Sequence, residues 1–356
     1  MTLLALALST PALAGYGDVG VDVPSENGGV ERNTEYPSLA ERELHMYTNM
    51  VRVEPEAFED WYNAYGCSFD GFEPGEQTPQ APVYFSRPLN EAARFHSQDM
   101  RDNSWFDHDS SDGTSFGTRV ARWYSESGFV GENIAQGYTI EQAVFGGWMC
   151  SSGHRANIMN GGYNEFGAGV VGNYYTQDFA SGTVDTRDPI AMGVHVPPIP
   201  TVGETVTFYA DYGGTGADRM EVVLTGQAHE MDLILGTESQ GVWAVDLEMP
   251  DGIHHGDRCE QYYFQSSDAA GQARFPETGS YQIGRDCDNP NHGWVPWQFG
   301  VTGRDDLSEA ELSHDVSITG SGCSTAPGAP TGWAALGLAL VLGWRRRDSG
   351  GAHSHS

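Results

Sequence analysis

Lysine is absent from the 356-residue chain: all 18 basic residues are arginine, set against 49 aspartates and glutamates, for a formal net charge of −31. Without lysine there is no Schiff base, no Walker-type phosphate lysine and no Ser–Lys nucleophile pair. So acidic a chain also excludes nucleic acid as a partner, because phosphate backbones are held through Lys and Arg contacts. The HExxH and GxxxxGK patterns are missing, which removes the zinc-protease and Walker-type nucleotide-binding readings. Cysteine is scarce, five in all, and none sits in the CxxC spacing of a zinc or redox site. Glycine is plentiful at 46 residues and favours turns and short strands over long helices.

The two ends carry export signals. Met1 to Ala14 is a short apolar run closing on Ala12-Leu13-Ala14, the small-x-small pattern of a signal-peptide cleavage site. It has no basic n-region, the first arginine being Arg32, and a buried N-terminal helix is the competing reading. Near the other end, Cys323 precedes an apolar segment from Trp333 to Trp344 and the cluster Arg345, Arg346 and Arg347. That segment is short against the roughly 20 residues of a spanning helix, and the arginines would fix its cytoplasmic side. A cysteine, an apolar helix and an arginine cluster in this order resemble the myxobacterial C-terminal sorting signal. The resemblance implies processing near Cys323 and either retention at the cell surface or outer membrane, or release; a plain membrane anchor is the alternative. Setting Cys323 aside leaves four cysteines, an even number suited to an oxidising compartment. Of the three possible pairings, Cys67–Cys150 and Cys259–Cys287 keep each bond within one expected unit.

Between the ends, residues 1–14 read as the signal peptide and 15–37 as a polar, acidic linker. Helical spacing begins at Ser38 with Leu39, Leu44, Tyr47 and Val51, and stops at Pro55. Residues 56–86 read as a long surface insertion. Leu89, Ala92, Ala93, His96 and Met100 line one face of a second helix, and Thr139 with Gln142 forms a capping-box pattern opening a third that ends near Gly153. Strands are expected over 166–171, 174–180 and 189–196 as an antiparallel meander with a hairpin turn at Gly172-Asn173. Residues 38–196 thus read as an α+β domain. Pro197-Pro198-Ile199-Pro200 marks a stiff boundary. Beyond it, short alternating strands predict an all-β, immunoglobulin-like sandwich over 201–288. A stalk at 289–322, the sorting segment at 323–347 and a tail at 348–356 complete the chain.

The chemistry-bearing stretch is 89–179: LNEAARFHSQDM at 89–100, WFDHDSSDG at 105–113, GENIAQG at 131–137, WMCSSGHRANIM at 148–159 and YYTQDF at 174–179. These five ordered motifs resemble the CAP superfamily, the cysteine-rich secretory, antigen 5 and pathogenesis-related domain, in its bacterial form. The resemblance covers about 38–196 and implies an α-β-α sandwich with a central cleft. It points to His108, Glu132 and His154: two imidazoles and a carboxylate converging in a cleft can hold a divalent ion such as zinc or serve as general acid and base. Many eukaryotic members carry two His and two Glu there. His108 and Glu132 match one of each; Ser151 and Tyr174 stand where the second Glu and second His would fall. His154, in Ser-x-Gly-His-Arg-x-Asn-Ile, is the replacement imidazole of the bacterial pattern.

Each of these residues has a structural reading as well. His108 and Glu132 can simply tie two loops together. His154 and Arg155 can cap a helix end, and Asn133 and Asn157 can bond loop backbone. His96 fits a satisfied core histidine, and Asp107, Asp109 and Asp112 fit turn residues. Trp243, able to stack on a sugar, fits a core position better. Gly113-Thr114-Ser115-Phe116-Gly117 spells a hydrolase elbow, but a polar loop precedes it where a strand is required. The expected function is a non-enzymatic binding module for an extracellular lipid, glycan or protein. The alternative is a metal-assisted hydrolase built on His108, Glu132 and His154.

Overall fold

The structure is a computed structural model. It describes residues 21–24, 30–33, 37–56, 71–125, 128–182, 189–197, 200, 203–248, 260–276, 280–283 and 294–295. The signal peptide, Cys67, Cys259, Cys287, Cys323 and Arg345 to Arg347 lie outside the described residues. Cys150 is disulfide-bonded, and it is the one cysteine among those described.

Within the segment read as a linker, β1 (Val21–Pro24) and β2 (Val30–Asn33) pair antiparallel. Helix α1 (Leu39–Val53) starts at Ser38 through a complete capping box: the Ser38 N–H donates to Glu41 at 2.9 Å and the Glu41 N–H to Ser38 Oγ at 3.3 Å. Helix α2 (Arg87–Asp102) opens on Pro88, where the missing N–H costs nothing. A short α3 (Phe116–Val120) follows, then α4 (Glu141–Cys150) and α5 (Ser152–Ile158). The capping box expected at Thr139 does not form. Ile140 is the N-cap, held extended at φ −142° and ψ 145°, so the helix starts later and without a side-chain cap. Nor does one helix run to Gly153: Ser151 at ψ 118° breaks it, placing His154 and Arg155 inside α5 rather than beyond a helix end.

Strands β3 (Tyr84–Phe85), β4 (Val130–Gln136), β5 (Glu165–Val171) and β6 (Tyr174–Ala180) make a sheet of order β3-β5-β6-β4. The two-residue periodicity of strands divides its side chains cleanly. Phe166, Ala168, Tyr175 and Phe179 meet apolar residues of α1, α4 and α5 on one face. On the other face Ala180 meets Leu89, Ala92 and Val120 of α2 and α3. Helix α2 lies so close that a Cβ on Gly167 or Gly169 would overlap the backbone of Leu89–Asn90 or Ala93–Arg94.

Strand β7 (Ile190–Val196) is not the third strand of the expected meander. It pairs with β8 (Thr205–Gly213), so the proline-rich segment joins two neighbours of one sheet. That sheet runs β11-β12-β8-β7, with β11 (Asp232–Thr237) and β12 (Gln240–Glu248). A second sheet runs β10-β9-β13-β15-β16, with β14 on β13. Its strands are β9 (Ala217–Leu224), β10 (Gln227–Glu230), β13 (Glu260–Asp268), β14 (Gly271–Phe275), β15 (Ser280–Ile283) and β16 (Trp294–Val295). The two sheets share one apolar core, and Trp243 belongs to it. The molecule is mixed α+β, a helix-flanked sheet followed by a large β-rich region. Among the described residues no helix is long and apolar enough to cross a membrane.

Candidate functional site

Strand β4 forms one edge of the four-stranded sheet, and Glu132 projects from it toward α2 and α3. The Glu132 carboxylate is buried at 1% exposure, which demands partners. Oε2 is paired with the fully buried guanidinium of Arg119, on α3, and Oε1 takes His108 Nδ1 at 2.8 Å. The same guanidinium donates to the His108 carbonyl at 2.7 Å, so one arginine fixes both the carboxylate and the loop that carries the imidazole. From α2, His96 Nε2 bonds the neighbouring Asp107 carbonyl at 2.9 Å and stands 4.0 Å from Glu132 Oε1. His96 is fully buried, as a core histidine would be, and burial lowers its pKa to about 4.

His108 itself is 52% exposed. With Nδ1 fixed on Glu132, its remaining nitrogen, Nε2, is the free end of the ring. The bond to Glu132 raises the imidazole's affinity for a proton, with partial burial opposing. His154 approaches from α5 beyond the other side of β4. Its backbone carbonyl accepts from Asn133 Nδ2 at 3.1 Å, and Asn157 Nδ2 donates to the Glu132 carbonyl at 3.1 Å. Burial, then the charge of His108, lowers the His154 pKa, so the two imidazoles are near enough to sense each other. Arg155 turns away, bonding Glu76 at 2.7 Å and the Met149 carbonyl at 2.9 Å.

Behind Glu132, directly across the β4–β6 ladder, lies the buried Asp178. Burial pushes its carboxyl well above the ordinary value, and the Glu132 charge adds to the effect. Burial thus favours the neutral forms of Asp178, His96 and His154, whereas the bond to Glu132 favours the charged form of His108.

The expected triad is therefore assembled in part. His108 and Glu132 are bonded, His154 flanks them, and Arg119, which no motif flagged, is the hub. Its only sequence signal is general: a buried glutamate needs a cation. Ser151 is the N-cap of α5 but its side chain makes no capping hydrogen bond, and the Tyr174 hydroxyl accepts from Gln136 at 2.8 Å. Asp107, Asp109 and Asp112 bond nearby backbone N–H groups, of Asp109, Phe116 and Thr114 respectively, as turn residues do. Ser115 sits at the N-cap of α3 with its hydroxyl on Thr118 at 2.9 Å, and no strand leads into it. Among the described residues no three His, Cys, Asp or Glu side chains are grouped to hold a metal. Both oxygens of Glu132 are engaged, one by a guanidinium that would oppose a cation, which leaves the two imidazoles as donors.

This frame of sheet, loop and five motifs matches the model of the cysteine-rich secretory protein (CAP) family over residues 45–183. Residues 45–183 form a CAP domain. The chain is 37% identical over 162 residues to the uncharacterized protein YkwD of Bacillus subtilis, covering 44% of this chain and 59% of that one. It is 37% identical over 99 residues to the uncharacterized membrane protein YlbC of the same organism, covering 28% and 29%. It thus spans less than two thirds of either relative. Among solved structures it is similar to an extracellular SCP-domain protein from Bacillus anthracis (27% identity, 41% of each chain, TM-score 0.32). It is also similar to an outer surface protein from Borrelia burgdorferi (15% identity, 36% and 94%, TM-score 0.28).

Proposed function

We propose that this is an exported, surface-retained CAP-domain protein whose His108 cleft binds an acidic group of an extracellular ligand. The observation that carries the reading is the His108–Glu132–Arg119 arrangement. A buried ion pair holds an exposed imidazole by one nitrogen and presents the other, protonation-prone, to solvent. In a chain of net charge −31 such a group is an uncommon anchor for an anion. Export rests on the Met1–Ala14 pattern, and retention on the Cys323, apolar and arginine sequence. The β-rich region is read as an immunoglobulin-like sandwich that spaces the CAP domain from the surface. The metal-assisted alternative draws less support, because Glu132 is committed to Arg119 and His108.

The test is an NMR titration of the His108 ring with inorganic phosphate and with acetate as minimal anions. Saturable shifts that His108→Ala abolishes are expected; a ring that responds to neither ion overturns the anion reading. In the same protein, zinc should show no His108-dependent binding tighter than micromolar, and tighter binding would restore the metal reading. A substrate cleaved by wild type and spared by Glu132→Gln would overturn the non-enzymatic role.

A further inference from the structure

A cavity of about 570 Å³ lies away from the His108 cleft, where the CAP domain meets the β-rich region. That volume falls within the roughly 300–1,000 Å³ of small-ligand sites. Its rim is built from the turns β8–β9, β11–β12 and β13–β14, together with the segment that leads into β3. Sheet ends where several turns converge are frequent binding surfaces, since a rigid scaffold holds variable loops.

The lining decides what class of ligand fits. It holds no Arg, Lys or His, so an anion has no partner there. Its one charged side chain is Asp268, and that carboxylate is saturated. Oδ2 accepts from the Tyr212 and Thr215 hydroxyls at 2.8 and 2.9 Å, and Oδ1 from the Ala270 and Gly271 N–H groups at 2.8 and 3.0 Å. A carboxylate offers about four lone-pair positions, and all are filled, so Asp268 pins two turns and has nothing left for a cation. By contrast, the side-chain amides of Gln240 and Gln272 have no hydrogen-bond partner among the described residues, and both residues are exposed. Each presents a donor and an acceptor, the pairing that vicinal hydroxyls satisfy. The lining also includes the buried Pro82 and Pro189 and the half-buried ring of Tyr84, whose hydroxyl is already spent on the Gly213 carbonyl. A partly exposed aromatic ring beside unspent amides, with no free charge, matches the C–H face and hydroxyl edges of a pyranose. A peptide would call for a free strand edge to pair with, and this rim consists of turns.

We propose that this cavity binds a neutral glycan segment, contacted by Gln240, Gln272 and Tyr84. Its position lets the ligand touch the CAP domain and the β-rich region at once.

The test uses saturation-transfer NMR and calorimetry on the full exported chain with cellotetraose, maltotetraose and chitotetraose, and with tetraglycine as the peptide control. Saturable binding of at least one saccharide is expected, weakened at least tenfold in the double variant Gln240→Ala/Gln272→Ala. Both glutamine side chains are exposed and their amides have no partner among the described residues, so the variant should melt like wild type; His108→Ala should bind the saccharide normally, which separates this site from the anion cleft. The proposal is overturned if no saccharide saturates, if binding survives in the double variant, or if tetraglycine binds there in place of the sugars.

Discussion

Arg119 converts a buried glutamate from a liability into a fixed acceptor, and the behaviour of His108 depends on it. Removing one partner of a buried pair leaves the other charge uncompensated, at a cost of about 3–5 kcal/mol. Arg119→Met should therefore destabilise the protein by about that amount, read as a fall in denaturant midpoint, and should free the His108 loop at its carbonyl. Glu132→Gln tests the other arm. The bond to Glu132 raises the His108 pKa, so its stabilising contribution is complete below the unfolded value near 6.5 and fades as pH rises through the folded one. In Glu132→Gln the ring should titrate lower by NMR, and an unchanged titration would mean that the contact does not set its charge. Sequence motifs named His108, Glu132 and His154 because their types and order carry chemistry. They were silent on Arg119 and on the buried Asp178, because a partner's identity depends on the side chain across a turn or a ladder.

At the scale of elements, the helices were legible to within a few residues because their apolar stripes and the Ser38 cap are local. The end of α4 was not, since a backbone break at Ser151 leaves no mark in the periodicity. The glycines of β5 show what local reading omits. They look like weak strand residues, yet α2 rests directly on Gly167 and Gly169. Gly169→Ala should push the helix off the sheet and cost about 1–3 kcal/mol or more by thermal unfolding, far beyond the cost of a surface alanine. Across the other face, α1 and α4 bring Glu43 and Glu141 together. Burial, then the Glu141 charge, raises the Glu43 pKa from 4.5 to about 8, and the Tyr47 hydroxyl at 2.9 Å opposes weakly. Glu43 holds a proton in the fold that it releases on unfolding, so its contribution is complete below pH 4.5 and is lost as pH rises toward 8. His45 acts oppositely: lowered to about 3 by burial, it stabilises above pH 6.5 and less as pH falls. Between pH 6.5 and 8.5 the melting temperature should fall, and Glu43→Gln should flatten that slope; an identical slope in the variant would exclude Glu43 as its source.

At the scale of the whole molecule, the proline segment 197–200 looked like a boundary, and the contacts of α1 show why composition misleads there. From α1, Arg42 donates to the Gly193 carbonyl of β7 at 3.2 Å and to the Tyr262 hydroxyl of β13 at 2.7 Å, lying 3.7 Å over the Tyr281 ring of β15. About two turns along, Asn49 donates to the buried Asp211 of β8 at 2.9 Å. Val194, Tyr209, Val242 and Ala244 of the β-rich region share a single apolar core with α1 and α4. A chain cut after Val196 would expose that half of the core to water, leave β7 without its pairing partner, and strand a buried guanidinium. Such a fragment, although it contains every CAP motif, should give a poorly dispersed amide spectrum and no cooperative melt, while residues 37–283 together should unfold in one transition. Arg42→Leu in the full chain, losing hydrogen bonds from a charged donor worth about 1.5–3 kcal/mol each, should shift that one transition as a whole. Two resolved transitions, or a fragment 38–196 that melts as sharply as the full chain, would show instead that the CAP domain stands alone and that α1 merely rests against its neighbour.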